Sequence, residues 1–351
     1  MVLSGVFCPS FPWFMRPRIS KEIYLEGVLA GDRVALARAI TLVESQLPAD
    51  RELAQDVLAA VLPHTGRSIR LGITGVPGVG KSTLIETFGQ HLTGQGLKLA
   101  VLAIDPSSPH SRGSILGDKT RMELLSRDPL AFIRPSPTRG SLGGVADATR
   151  EAMLLCEAAG FEFIIVETVG VGQSETYVRG MVDFFLLLML AGAGDELQGV
   201  KRGIIEMADA LVITKADGDT LGPARRAQVE YQNALHLFPP SESAWVPSVL
   251  TCSALTGAGV AEVGALVDSY VAHTRQSGYF AQNRQQQQVT WFHQRIRREL
   301  GDLFYQNPLI QRRLPDLEAA IRDGTALPVQ AAQELLGIFA GRDDGKWGLG
   351  K

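Results

Sequence analysis

Three consecutive stretches decide the fold: Ile69-Arg70-Leu71-Gly72-Ile73-Thr74, then Gly75-Val76-Pro77-Gly78-Val79-Gly80-Lys81-Ser82, then Thr83-Leu84-Ile85-Glu86-Thr87-Phe88. The first reads as a buried strand and the last as the start of a helix. The eight residues between them read as a phosphate-binding loop. Its glycines let the backbone bend so that successive amide N–H groups point inward at phosphate oxygens. The helix start adds its positive end, Lys81 can reach the β- and γ-phosphates, and the Ser82 hydroxyl can ligate Mg²⁺. Residues Gly75 to Thr83 are therefore expected to hold a nucleoside triphosphate.

From Ile69 onward, apolar strand-like runs alternate with helical patterns. The expected strands are 69–74, 98–105, 130–134, 161–167, 182–190, 209–214 and 244–252. The expected helices lie near 82–94, 117–127, 144–159, 200–208, 222–235 and 258–275. Strict alternation implies right-handed βαβ units, and so an α/β fold of the P-loop NTPase type with a doubly wound, mainly parallel sheet. The run from Phe184 to Gly194 is too short to span a bilayer, which needs about 20 helical residues, and reads as a strand buried on both faces. Residues 1–19, apolar but broken by prolines and lacking an early positive charge, read as a disordered extension rather than a signal peptide. Residues 20–66 form a helical N-terminal segment in which Gly31-Asp32 separates two helices and Asp32 is the N-cap of the second. The nucleotide domain covers 67–276, and 277–351 is a helical C-terminal arm. In that arm Phe292, Ile296, Leu300 and Leu303 recur at helical spacing, Gln285 to Gln288 form a solvated face, and Asn307-Pro308 starts a new helix. The pattern suits packing on its own domain and on a second subunit equally.

The chain has 351 residues, 45% hydrophobic and 20% charged, enough for a large core. A net charge of −3 with a pI near 6.1 argues against a nucleic-acid partner. Cys8, Cys156 and Cys252 are too scattered for a disulfide framework or a thiolate zinc site, which fits a reducing cytoplasm.

Thr214-Lys215-Ala216-Asp217 follows the strand Ala210-Leu211-Val212-Ile213. A carboxylate there can accept hydrogen bonds from the N1–H and 2-amino groups of guanine, whereas adenine would leave it buried and unpaired. The stem of Lys215 would lie along the base. Thr214 stands where Asn is usual, keeping a hydroxyl to tie the loop down but losing the amide. Ser253-Ala254-Leu255 would offer backbone amides to the guanine oxygen. For the metal, Asp105, Asp118 and Glu167 stand beside Ser82 at strand ends and a helix start, although Asp118 reads equally well as a helix N-cap. Glu167-Thr168-Val169-Gly170 resembles the Asp-x-x-Gly element of GTPases with Glu for Asp, and Gly170 would sense the γ-phosphate. Val171 stands where small signalling GTPases carry a water-orienting glutamine, so unassisted hydrolysis should be slow and a partner should assist.

The phosphate loop, the run Glu167-Thr168-Val169-Gly170-Val171-Gly172-Gln173-Ser174-Glu175 and the run Asp195-Glu196-Leu197-Gln198-Gly199-Val200-Lys201-Arg202-Gly203 together resemble the MeaB/ArgK/MMAA group of SIMIBI-class G proteins. The resemblance implies a GTP-hydrolysing chaperone, using GTP/GDP and Mg²⁺, for an adenosylcobalamin-dependent acyl-CoA mutase, usually methylmalonyl-CoA mutase. It implies that the protein gates cofactor loading and protects the mutase, and that it is a homodimer joined through the C-terminal arm. Carried over by position, it implies Lys81 on phosphate, Ser82, Asp105, Asp118 and Glu167 around Mg²⁺, Asp217 on guanine, and Gln198 and Lys201 as catalytic contributors in a further switch. Lys201 also reads as a solvated helix-start lysine. Two other readings compete. A metallochaperone GTPase of hydrogenase or urease maturation would need a metal site, for which the six dispersed histidines give no tract. A transport-linked ATPase or kinase would need a kinase catalytic loop and no guanine-reading Asp217.

Overall fold

A computed structural model describes residues 19–104, 122–135, 142–168, 174–192 and 202–341. The chain divides into two compact units, Met1–Ala281 and Gln282–Lys351. In the first, a seven-stranded sheet carries strands β1 (Ile69–Gly75), β2 (Leu99–Ile104), β3 (Ala131–Arg134), β4 (Phe163–Thr168), β5 (Phe184–Leu190), β6 (Ala210–Thr214) and β7 (Ser248–Thr251). Their order is β3-β2-β4-β1-β5-β6-β7, and every neighbouring pair is parallel. The α/β class with a parallel sheet is thus as expected.

Side chains alternate between the two faces, as strand geometry requires. On one face Phe184, Leu186 and Leu188 of β5 join Leu71 and Ile73 of β1 beneath helices α4 (Lys81–Gly94), α5 (Glu123–Arg127) and α10 (Val260–Ser277). On the other, Ile164, Val166 and Phe185 pack with helices α1 (Lys21–Leu29), α2 (Arg33–Val43), α3 (Pro48–Val61), α6 (Leu142–Ala158) and α7 (Ser174–Arg179). Leu187, Met189, Leu211 and Ile213 are covered by α8 (Arg202–Met207) and α9 (Leu221–Leu235). Burying apolar strands on both faces is what makes a parallel sheet stable. The N-terminal helices therefore share one core with the sheet.

Asp32 caps α2 as expected, its Oδ1 accepting from Val34 N at 2.7 Å and Ala35 N at 2.9 Å. The structure departs from the expected elements in four places. The N-terminal segment breaks again before α3, where Pro48 takes the first helical position. Helix α7 was not anticipated, because six residues with two β-branched members carry no readable period. Of the helix expected over 117–127, the described part is Glu123–Arg127. Strand β7 spans Ser248–Thr251 instead of 244–252, because Ala244 takes a left-handed turn at φ 54° and Pro247 cannot donate to a ladder. Gln228 and Gln232 of α9 bond Val249 O and Val249 N, covering that edge strand.

Helix α11 runs Tyr279–Gln306, so the glutamine tract and the stretch after it are one helix. In the second unit Asn307 caps α12 (Pro308–Arg322), its Oδ1 accepting from Leu309 N at 2.9 Å, and α13 (Pro328–Phe339) follows. Ile310, Leu317, Ala331 and Leu335 make this unit's own small core. No helix among the described residues is long and apolar enough to cross a membrane.

Candidate functional site

The chain leaves β1 for β2 on one side, and its later strand β5 lies on the other, so the crevice outside the carboxyl end of β1 is where a ligand fits. The phosphate loop occupies it. Gly75 has φ 151°, and a Cβ there would stand 2.6 Å from the Leu188 carbonyl oxygen, so only glycine fits. Gly80 has φ 101° and leads directly into α4.

Lys81 is 9% exposed, and its Nζ donates to the carbonyl oxygens of Gly75 at 2.7 Å and Val76 at 3.2 Å. The loop thereby folds around its own cation. Burial holds the Lys81 ammonium below the usual lysine range, and the carboxylates of Glu167 and Glu175 oppose that shift. Register sets Glu167 beside Ile73 near the end of β1. Ser82 Oγ donates to Glu167 Oε1 at 3.2 Å, bringing two hard oxygen ligands together. One residue further along both strands, Thr168 Oγ1 donates to Thr74 Oγ1 at 2.7 Å and ties β4 to β1.

The second loop meets the first directly. Thr214 Oγ1 lies 2.6 Å from Val79 O and 3.2 Å from Met189 O. The hydroxyl thus performs the tie expected of it. Lys215 holds a left-handed φ of 54°, and its Cε is 4.0 Å from where a Gly80 Cβ would stand. Its stem therefore lies over the phosphate loop. Asp217 Oδ2 accepts a hydrogen bond from Ser253 Oγ. Thr87 of α4 donates to Ala254 O at 3.0 Å, fixing the third loop to the same helix. Ser253 spends its own N–H on Ala258 O at 2.9 Å, so within the triplet only the Ala254 and Leu255 amides are left to face a base. Ser253 instead orients the carboxylate through its side chain.

The structure thus gathers Gly75 to Thr83, Glu167, Thr214, Lys215, Asp217 and Ser253 to Leu255 at one end of the sheet. Asp105, Asp118, Gly170, Gln198 and Lys201 lie outside the described residues. One residue had no role assigned from sequence: Glu175, 1% exposed in the first turn of α7, bears electrostatically on Lys81. Its only sequence signal was its place at the end of the Glu167 to Glu175 run.

Thr214→Val is expected to weaken nucleotide binding about tenfold. The change keeps the side-chain volume but removes the hydrogen bond to Val79 O, a loss of about 1–2 kcal/mol. Calorimetric affinities equal to wild type would show that the tie contributes nothing.

The family model for methylmalonyl Co-A mutase-associated GTPase MeaB matches residues 36–308. A protein of Caulobacter vibrioides is 51% identical over 325 residues, 93% of this chain and 99% of its own length. The mitochondrial methylmalonic aciduria type A homolog of Mus musculus is 48% identical over 326 residues, 90% of this chain and 79% of its own. Among solved structures, that of an LAO/AO transport system kinase superposes with a TM-score of 0.73 at 38% identity, covering 91% of this chain and 97% of its own.

Proposed function

This chain belongs to the family of methylmalonyl Co-A mutase-associated GTPases, MeaB, and we propose that its GTPase is a switch serving an adenosylcobalamin-dependent acyl-CoA mutase. In this reading it gates cofactor loading and protects the mutase from inactivation. The supporting observation in the fold is the contact of Thr214 Oγ1 with Val79 O at 2.6 Å. It joins a phosphate cradle and a carboxylate-bearing loop at one end of the sheet.

The assignment of roles follows from chemistry. Lys81 turns from the Gly75 and Val76 carbonyls toward the β- and γ-phosphates, the loop amides take the remaining oxygens, and Asp217 reads N1–H and the 2-amino group of guanine. Ser82 and Glu167, with Asp105 and Asp118, would hold Mg²⁺, whose charge offsets that developing on the phosphates. Water then attacks the γ-phosphorus, the bond to the β–γ bridging oxygen breaks, and GDP and phosphate leave. With Val171 in place of a glutamine, orientation of the water would fall to other groups. Gln198 and Lys201, on the stretch that the partner engages, would supply the missing orientation and positive charge.

A homodimer is part of the proposal. Along α11, Val289, Phe292, Ile296, Leu300 and Leu303 are 39–61% exposed on one stripe, an apolar surface suited to a second copy of the same helix.

The deciding experiment is GTP turnover with and without a purified adenosylcobalamin-dependent methylmalonyl-CoA mutase. Stimulation of at least about tenfold is expected, since assistance in trans can reach about 10³–10⁵. An unchanged rate at saturating mutase would contradict the partner reading.

A further inference from the structure

Helix α7 begins where the described chain resumes after residue 173, and α8 where it resumes after residue 201. The two short helices pack against each other. Arg179, the last residue of α7, reaches across to Asp209, which stands between α8 and β6. The pairing is two-pronged: Nη1 to Oδ2 at 2.8 Å and Nη2 to Oδ1 at 3.2 Å. Asp209 is 4% exposed and fully engaged, its Oδ2 also accepting from Phe185 N at 2.8 Å and its carbonyl accepting from Trp245 Nε1 at 2.9 Å.

Neither residue touches the nucleotide pocket. Yet α7 packs against β1, the strand that leads into the phosphate loop, and against β4, which carries Glu167; Glu175 in its first turn stands four positions before Arg179, about 6 Å along the same helix face, and bears on Lys81. About one turn of helix thus connects the surroundings of the phosphate-binding lysine to a fixed fork at α8. A buried ion pair contributes little net stability compared with apolar packing of the same volume. What a two-pronged arginine–carboxylate pair adds is a defined orientation.

We propose that Arg179 and Asp209 are positioning residues that lock α7 to α8 and to the root of β6, so that nucleotide at Lys81 and a partner engaging the chain just before α8 act on one shared element. The inference rests on the function proposed above, and supplies the mechanical link that reading needs. The coupling is reciprocal: a ligand that orders one helix orders the other.

The test is hydrogen exchange of the full-length protein with and without a non-hydrolysable GTP analogue and Mg²⁺, for wild type, Arg179→Lys and Asp209→Asn. In wild type, the analogue is expected to slow exchange at least about fivefold in both 174–179 and 202–207. In both variants the protection should persist in 174–179 and vanish in 202–207, with analogue affinity within about threefold of wild type. A pair that only stabilises the fold would instead raise exchange throughout and leave ligand-dependent protection of both helices in place. Arg179→Lys keeps the charge on a partly exposed side chain, and the wild-type measurement stands without any variant. Wild type binding the analogue with no protection of 202–207, or Arg179→Lys retaining full protection there, would overturn the coupling alone. Absence of analogue binding would overturn the nucleotide reading and the coupling with it.

Discussion

Lys81→Ala is expected to lower GTP affinity by at least about 10²-fold, because a charge-assisted hydrogen bond is worth about 1.5–3 kcal/mol and this ammonium can make more than one to the triphosphate. Position amplifies the effect. Lys81 already sits among loop carbonyls, and Glu167 and Glu175 oppose its loss of charge. Removing it leaves the negative charge of Glu167 and Glu175 without the loop's own cation to offset it. The fold should persist, since the cores on both sheet faces are apolar and Lys81 belongs to neither. Calorimetry on the folded variant checks this, and undiminished affinity would remove Lys81 from phosphate binding.

Asp217→Asn should produce a change of specificity. Guanine offers two donors to the carboxylate. An asparagine amide keeps one acceptor but turns a donor toward the 2-amino group, so two donors face each other and GTP affinity should fall by about 10²-fold or more. Xanthine carries a carbonyl at that position, so the same variant should bind XTP more tightly than wild type does. Ser253 Oγ can reverse its hydrogen bond to suit the amide, so the loop should keep its geometry. Competition between GTP and XTP for the two proteins reads the outcome directly. A variant that keeps its GTP preference would mean that Asp217 does not read the base.

Much of this arrangement was legible from sequence because it is local. The phosphate loop declares itself through spacing alone, and the strands around it through apolar runs that only a doubly covered sheet explains. Asp32 could be read as a cap because a cap needs nothing beyond its own next few residues, and Asn307-Pro308 marked a helix boundary for the same local reason. Other features depend on groups far apart in the chain. Thr214 was expected to tie its loop down, but its partner Val79 is 135 positions away. Arg179 and Asp209 lie 30 positions apart and belong to no recognisable pattern. Helix α7 is too short to show a period, so the approach of Glu175 to Lys81 was hidden with it. The early end of β7 likewise depends on a left-handed Ala244, a conformation that composition does not announce.

The account turns on Asp217 and Lys81 serving one ligand, joined through Thr214 and the stem of Lys215. Titration of the wild-type protein with GTP and with ATP, each with Mg²⁺, tests that most directly. A site that pairs the half-buried Asp217 carboxylate with the two guanine donors should favour GTP by about 10⁴-fold. Equal affinities for the two nucleotides would contradict it.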